Sequence, residues 1–376
     1  MSVHVAATGR SRFGKREEGL LELLTEAGKD ALRGAPASAA RPEALFVGSM
    51  APGPLCGLEN LVPKVADALE LSGIPGLHVD AASASGAGVL HAAAAAVAAG
   101  IYRSALVVAG EKMTAVPLTD VTTVLSHSLS PLEVLHGATM PSMAALVSQA
   151  YLDHFHLPID EVGIVTVANR AAASRNPFAH FQKPVTLEEV NGSRIISSPL
   201  RLLHVSPVSD GAAAVLLTRD RTGVEVVGLG QGTDRTDVIL REGLTGFLAT
   251  RLAAKAAYEM AHLTRKEVSV AEVHDAFAPF ELIDLEDVGI CGPGESLRWL
   301  RDGNGAPSGP VAVNPSGGIL GRGHPVGASG LIQIVEISRQ LEGTAGPLQA
   351  GTRRVGLAQS VGGMGSHNFV TLLSRV

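Results

Sequence analysis

Apolar residues along the first hundred positions follow two alternating periods. Val3–Ala7 reads as a strand, Leu20–Leu32 has its apolar residues at helical spacing, and Ala44–Met50 is a short apolar strand. Leu61–Leu71 returns to helical spacing, and Leu77–Asp80 is a strand that runs into Ser83-Ala84-Ser85-Gly86. Gly86–Gly100 is apolar on nearly every side, as a buried helix must be, and Ala105–Gly110 is a buried strand. Strands alternating with helices predict an α/β layered fold.

The pattern breaks in the middle. From about Met113 to Leu200 polar residues, prolines and the histidines His127, His136, His154, His156 and His180 accumulate, and only Met140–His154 and Leu187–Asn191 look helical. This stretch is expected to be a lobe, near 115–200, inserted in a first half of 1–219. None of its histidines has metal-type spacing, and His154-Phe155-His156 is expected at the surface. Alternation resumes in a second half, 220–376: strands at Ala212–Thr218 and Val224–Gly230, a helix at Phe247–Met260, and a strand Val268–Val273 running into His274. A helix at Val326–Leu341 and strands at Val355–Ser360 and Asn368–Leu373 follow. Ala84-Ser85-Gly86 opens the apolar helix of the first half, and Ala328-Ser329-Gly330 opens a similar one 244 residues later. The echo suggests a duplicated unit whose two helices lie buried side by side between two sheets.

Composition narrows the function classes. With 46% hydrophobic residues in 376 there is material for large cores, and 43 glycines favour close backbone packing. A net charge of −6, no basic tract and 3% aromatics argue against nucleic acid. The longest apolar run, Leu90–Ala99, is too short to span a membrane, and the start lacks a secretory pattern. Two cysteines, Cys56 in an early loop and Cys291 after the helix that follows the His274 motif, allow neither a disulfide framework nor a cysteine-based zinc site, so a cytoplasmic protein without metal is expected.

Candidate chemistry concentrates in Asn314–Gly330, NPSGGILGRGHPVGASG. Six glycines and two prolines in these seventeen residues predict a tightly folded loop with positive-φ positions rather than regular structure. It holds His324 rigidly ahead of a helix, as a base would be held. His274, at the end of an apolar strand, is the second candidate.

Asn314–Gly330 resembles the signature loop of thiolases, and the resemblance extends over nearly the whole chain: Gly9–Gly14, Glu111-Lys112-Met113, Asn176-Pro177-Phe178-Ala179, and Ser197–Ala213. His274-Asp275-Ala276-Phe277 resembles the His-Asp-x-Phe motif of the sterol-carrier-protein-type and archaeal thiolase-like branch. The resemblance implies two duplicated α/β halves in an α-β-α-β-α core. It implies an acyltransferase that takes an acyl-CoA or other acyl thioester and forms or cleaves a C–C bond. No cofactor is implied, the CoA thioester being substrate. It also implies a homodimer, for which the apolar strand Ala105–Gly110 is the candidate surface, and allows a small partner with an OB-fold and zinc ribbon.

The departures bear on mechanism. Ser83 stands where these enzymes carry the nucleophilic cysteine, and Ser360 stands at the second, acid/base cysteine before Gly362-Gly363. A serine hydroxyl ionises far less readily than a thiol and needs a base throughout its attack. The resemblance implies Ser83 as acyl acceptor, His324 within hydrogen-bond reach as its base, His274 polarising the carbonyl or handling an α-proton, and Gly363 N–H facing Ser83 N–H as oxyanion donors. The alternatives are a Cys-to-Ser trapped variant of an ordinary enzyme, a non-covalent aldolase, or an inactive scaffold subunit. Such aldolases would use tyrosines, and Tyr102, Tyr151 and Tyr258 lie in no catalytic-type motif.

Overall fold

A computed structural model describes residues 2–376. The first half contributes β1 (Val3–Arg10), β2 (Ala44–Gly48), β3 (Gly76–Val79), β4 (Ser104–Lys112) and β7 (Asp210–Thr218). A small ribbon, β5 (Ile195–Ser197) and β6 (Leu200–Arg201), belongs to the lobe. The second half contributes β8 (Val224–Thr233), β9 (Val270–Glu272), β10 (Ala312–Val313), β11 (Val355–Gly362) and β12 (His367–Arg375).

The strand order is β10-β9-β11-β12-β8-β1-β7-β4-β2-β3. Counted within each half, both read third, second, fourth, fifth, first from the outer edge inward, so the chain is two copies of one α/β unit. The halves were expected as separate sheets. They are instead joined edge to edge, because Val3, His4 and Val5 pair antiparallel with Val226, Glu225 and Val224.

Each unit places one helix at the centre of the molecule, Ser85–Ala98 and Ser329–Glu342, both of 14 residues. Each touches strands of both halves as well as the other helix. Val89, Leu90, Ala93 and Val97 from one, and Leu331, Ile334, Val335 and Ile337 from the other, share a core with Val107, Val215, Val270 and Ala358. The Ala-Ser-Gly echo lies where the two helices meet. A Cβ on Gly86 would stand 2.6 Å from Leu331 N, and one on Gly330 would stand 2.6 Å from Ala87 N. The backbones can approach this closely only because neither residue has a side chain.

The helices Leu20–Arg33 and Leu248–Ala261 pack on strands of their own halves and complete the layered α/β architecture. β4 lies inside the sheet between β7 and β2, and its residues are buried. This corrects the expectation that Ala105–Gly110 forms a dimer surface. The exposed edge is β3, where Leu77 is 49% exposed.

The lobe is helical: Leu118–Ser126, Pro131–Leu135, Met140–Phe155, Ile159–Ala173 and Leu187–Gly192. Ile159–Ala173 escapes the sequence pattern because Gly318–Arg322, Ala278–Asp287 and Leu187–Gly192 pack around it, so its apolar residues form no single stripe. The helix expected between the His274 motif and Cys291 is Ala278–Asp287, in which Glu281 and Asp284 are buried among the apolar residues. Cys56 ends a short helix, Pro52–Cys56, rather than lying in a loop. Among the described residues no helix is long and apolar enough to cross a membrane.

Candidate active site

Ser83 sits on a sharp turn between β3 and the first central helix. Ala82 before it has φ +51°, a left-handed conformation that costs a non-glycine residue energy and needs support. Support comes from Ser85, whose Oγ accepts from Ala81 N–H (2.9 Å) and donates to the Ala82 carbonyl (2.6 Å). Ser83 is buried, and its Oγ donates to the Val361 carbonyl across the two halves at 2.7 Å. That is the bond the hydroxyl makes, in place of the expected one to His324.

His324 is held by the glycine-rich loop. Asn314, Gly317, Gly318 and Gly323 have positive φ as expected, but the loop is not wholly irregular: Gly318–Arg322 forms one helical turn. Asp275 caps that turn, accepting Ile319 N–H (2.6 Å), Leu320 N–H (3.0 Å) and Asn169 Nδ2 (2.7 Å). A Cβ on Gly318 would lie 2.3 Å from Asp275 Oδ2, so this cap requires glycine. Glu281 accepts Asn169 Nδ2 and Asn314 Nδ2, both at 2.7 Å, and Arg322 pairs with Glu272 at 2.8 Å. Burial pushes Asp275 up to about 6 and Glu281 up to about 8.

His324 Nδ1 lies 2.7 Å from Ser329 Oγ, which donates its proton to the Pro325 carbonyl at 3.0 Å. The hydroxyl therefore accepts from Nδ1–H, and Nε2 is left as the basic nitrogen. Burial, then the charge on Arg322, drive the imidazole down to about 3, so it is neutral at physiological pH. His274 stands edge-on to His324, ring centroids 5.1 Å apart, and its Nδ1 is buried without a hydrogen-bond partner. Burial holds it well below the usual imidazole range, with His324 adding to the effect.

Ser83, His274, His324 and Gly363 line one cavity of about 630 Å³. The rest of its wall is largely apolar. Leu118, Val121, Leu125 and Met140 come from the lobe, and Phe277 and Phe280 come from the second half. Gly363, at φ +60°, borders the cavity, whereas Gly362 N–H is committed to Asn368 Oδ1 at 3.2 Å. Ser360 does not join the cavity. Its hydroxyl is buried without a hydrogen-bond partner and faces the meeting point of the central helices, 2.9 Å from where a Gly330 Cβ would stand. Strand alternation turns it inward.

Four contributors had no role assigned from the sequence. Ser209 Oγ accepts His324 N–H at 3.1 Å and lies 2.8 Å from His180 Nδ1, so His180 belongs to the support of the base. Arg170 stacks on Phe181 at 3.4 Å, and both line the cavity. Ser209 falls in the segment Ser197–Ala213 and no motif marks the other three, because their roles come from contacts across the lobe. His154 and His156 are exposed as expected.

The model of the thiolase N-terminal domain matches residues 3–221, and that of the thiolase C-terminal domain-like family matches 230–375. The chain belongs to the thiolase family. Acetyl-CoA acetyltransferase of Methanothermobacter thermautotrophicus is 35% identical, with 99% of each chain covered. Human sterol carrier protein 2 is 28% identical over 98% of this chain and 71% of its own, which fits the sterol-carrier-protein-type branch. A solved Ltp2-ChsH2(DUF35) aldolase superposes with TM-score 0.86 at 24% identity, covering 100% of this thiolase-family chain and 98% of that one.

Proposed function

We propose that this thiolase-family protein is an acyltransferase that forms or cleaves a C–C bond through an acyl-enzyme at Ser83. The observation that carries the reading is the convergence of Ser83, His274, His324 and Gly363 on one apolar cavity, from segments that nothing local forces together. Ser83 Oγ turns from the Val361 carbonyl and attacks the thioester carbonyl while its proton passes to His324 Nε2. The oxyanion sits between the N–H groups of Ser83 and Gly363. The C–S bond then breaks, and the thiolate takes the proton from His324. With the oxyester formed, His274 removes or returns the α-proton of the second substrate. The apolar wall suits the acyl group, and Arg170 and Arg194 are the cations at the cavity for the phosphates of CoA. We further propose a homodimer through the exposed β3 edge, and a small partner of the DUF35 kind.

One observation favours a second reading, a non-covalent C–C lyase: the Ser83 proton is engaged by a backbone carbonyl rather than a base. Against it, no tyrosine lines the cavity. Tyr151 bonds Glu286, Tyr258 bonds the Val288 carbonyl, and Tyr102 packs on Phe46. Intact-protein mass after incubation with acetyl-CoA and with a longer acyl-CoA decides. An adduct mapping to Ser83 supports the acyl-enzyme, and turnover without an adduct supports the lyase.

A further inference from the structure

The β9–β11 ladder ends at Glu272 and Ala358, short of His274 on one side and of the Gly362-Gly363 turn on the other. Backbone N–H groups beyond the ladder need other acceptors. Asn314 Oδ1 takes Val273 N–H at 2.9 Å, and Gln359 Oε1 takes His274 N–H at 2.9 Å. Asn368 Oδ1 takes Gly362 N–H on the other side.

Gln359 and Asn368 then meet. Gln359 Nε2 donates to Thr250 Oγ1 at 3.3 Å and to Asp284 Oδ1 at 2.8 Å, and Asn368 Nδ2 donates to the same Thr250 Oγ1 at 2.8 Å. Asp284 Oδ2 is buried without a hydrogen-bond partner. All four side chains are fully buried, none lines the cavity, and they come from four different elements. Burial raises the Asp284 carboxyl well above its ordinary range.

We propose that Gln359, Asn368, Thr250 and Asp284 are positioning residues that set the distance between His274 and the Gly363 oxyanion donor, Thr250 Oγ1 being the atom through which the two sides are coupled. The proposal rests on the reading of this cavity as a catalytic site. Buried networks of this kind act as a unit, so cutting one arm releases the other. A displacement on the order of 1 Å in such a site costs up to about 100-fold in rate.

The test uses the full-length protein and the variants Gln359→Leu, Asn368→Leu and the double variant, with Gln333→Leu as control. Gln333 is an equally buried glutamine of the second central helix whose amide has no partner. Each is followed by the rate of Ser83 acylation by acetyl-CoA, by kcat and KM, and by the ¹⁵N resonances of the His274 imidazole. Expected are losses of about 10- to 100-fold in acylation and kcat with KM within about twofold. The double variant should lose little more than the worse single one, the His274 resonance should move in Gln359→Leu, and the control should do none of this. Unchanged rates, losses that multiply, or losses matched by the control would overturn the proposal. If the leucine variants do not fold, Thr250→Val removes the shared oxygen at nearly constant shape and is judged by the same criteria. If the unaltered protein forms no Ser83 adduct, the acyl-enzyme reading fails by itself. The positioning claim then stands or falls on the His274 resonance, which must move in Gln359→Leu or Thr250→Val.

Discussion

In the proposed reaction the hydroxyl of Ser83 and the imidazole of His324 carry the chemistry. Ser83→Ala should abolish the acyl adduct, and wild-type turnover in that variant would remove covalent catalysis at this position. Ser83→Cys asks a different question: a trapped ordinary enzyme would regain full activity with simple acyl-CoAs, whereas a natural serine enzyme would stall as a thioester. His324→Ala should slow acylation on the order of 10²–10⁴-fold in a stopped assay, the usual worth of a general base. Because burial drives His324 down to about 3, kcat/KM for acylation should run flat from pH 8 to pH 5, with no inflection near the ordinary imidazole value of 6.5. An inflection there would mean that a solvated histidine is the base. His274, His324 and Gly363 were legible from the sequence as residues that meet at one cavity because motifs surround them. Ser360 was not correctly placed by its motif, since which face of β11 it occupies depends on register, which letters do not carry.

The loop Asn314–Gly330 works as an element because buried carboxylates hold it. Its glycines were readable, but Asp275 capping Gly318–Arg322 was not, nor was the clamp on Glu281, because each partner lies on a different helix or strand. Glu281 keeps its proton up to about pH 8 in the fold, against an ordinary 4.5. The folded chain therefore binds more protons than the unfolded one across that window, and stability falls as pH rises through it. Glu281→Gln keeps an oxygen for Asn169 and Asn314 but cannot ionise. The variant's melting temperature should gain on the wild type steadily from pH 4.5 to 8, and a constant gap in calorimetry would show that Glu281 does not titrate in this window. The helix Ile159–Ala173 was hidden for a related reason, since packing on several sides blurs the one-sided stripe.

At the scale of the molecule, duplication was legible from the Ala-Ser-Gly echo, and the shared strand order now supports it independently. The edge-to-edge join through β1 and β8 was not legible, as either strand reads alike beside any partner. The close contact of the central helices makes Gly86→Ala a test of how the units are held together. Its methyl would meet Leu331 N and the Gly327 carbonyl, both backbone, so about 1–3 kcal/mol should be lost in urea unfolding. A neutral result would mean that the helices can slide apart without cost.

The bond from Ser83 to Val361 spans 278 residues, and β12, which ends the chain, is an interior strand between β11 and β8. On the ribosome, then, the first unit emerges with its Ser83 turn facing no partner, and neither the Val361 carbonyl nor the Gly363 N–H exists until the second unit has been made past β11. Under the proposed chemistry, competence waits on the second unit, so a nascent chain that stalls before Val361 holds the Ser83 turn and no chemistry to perform with it.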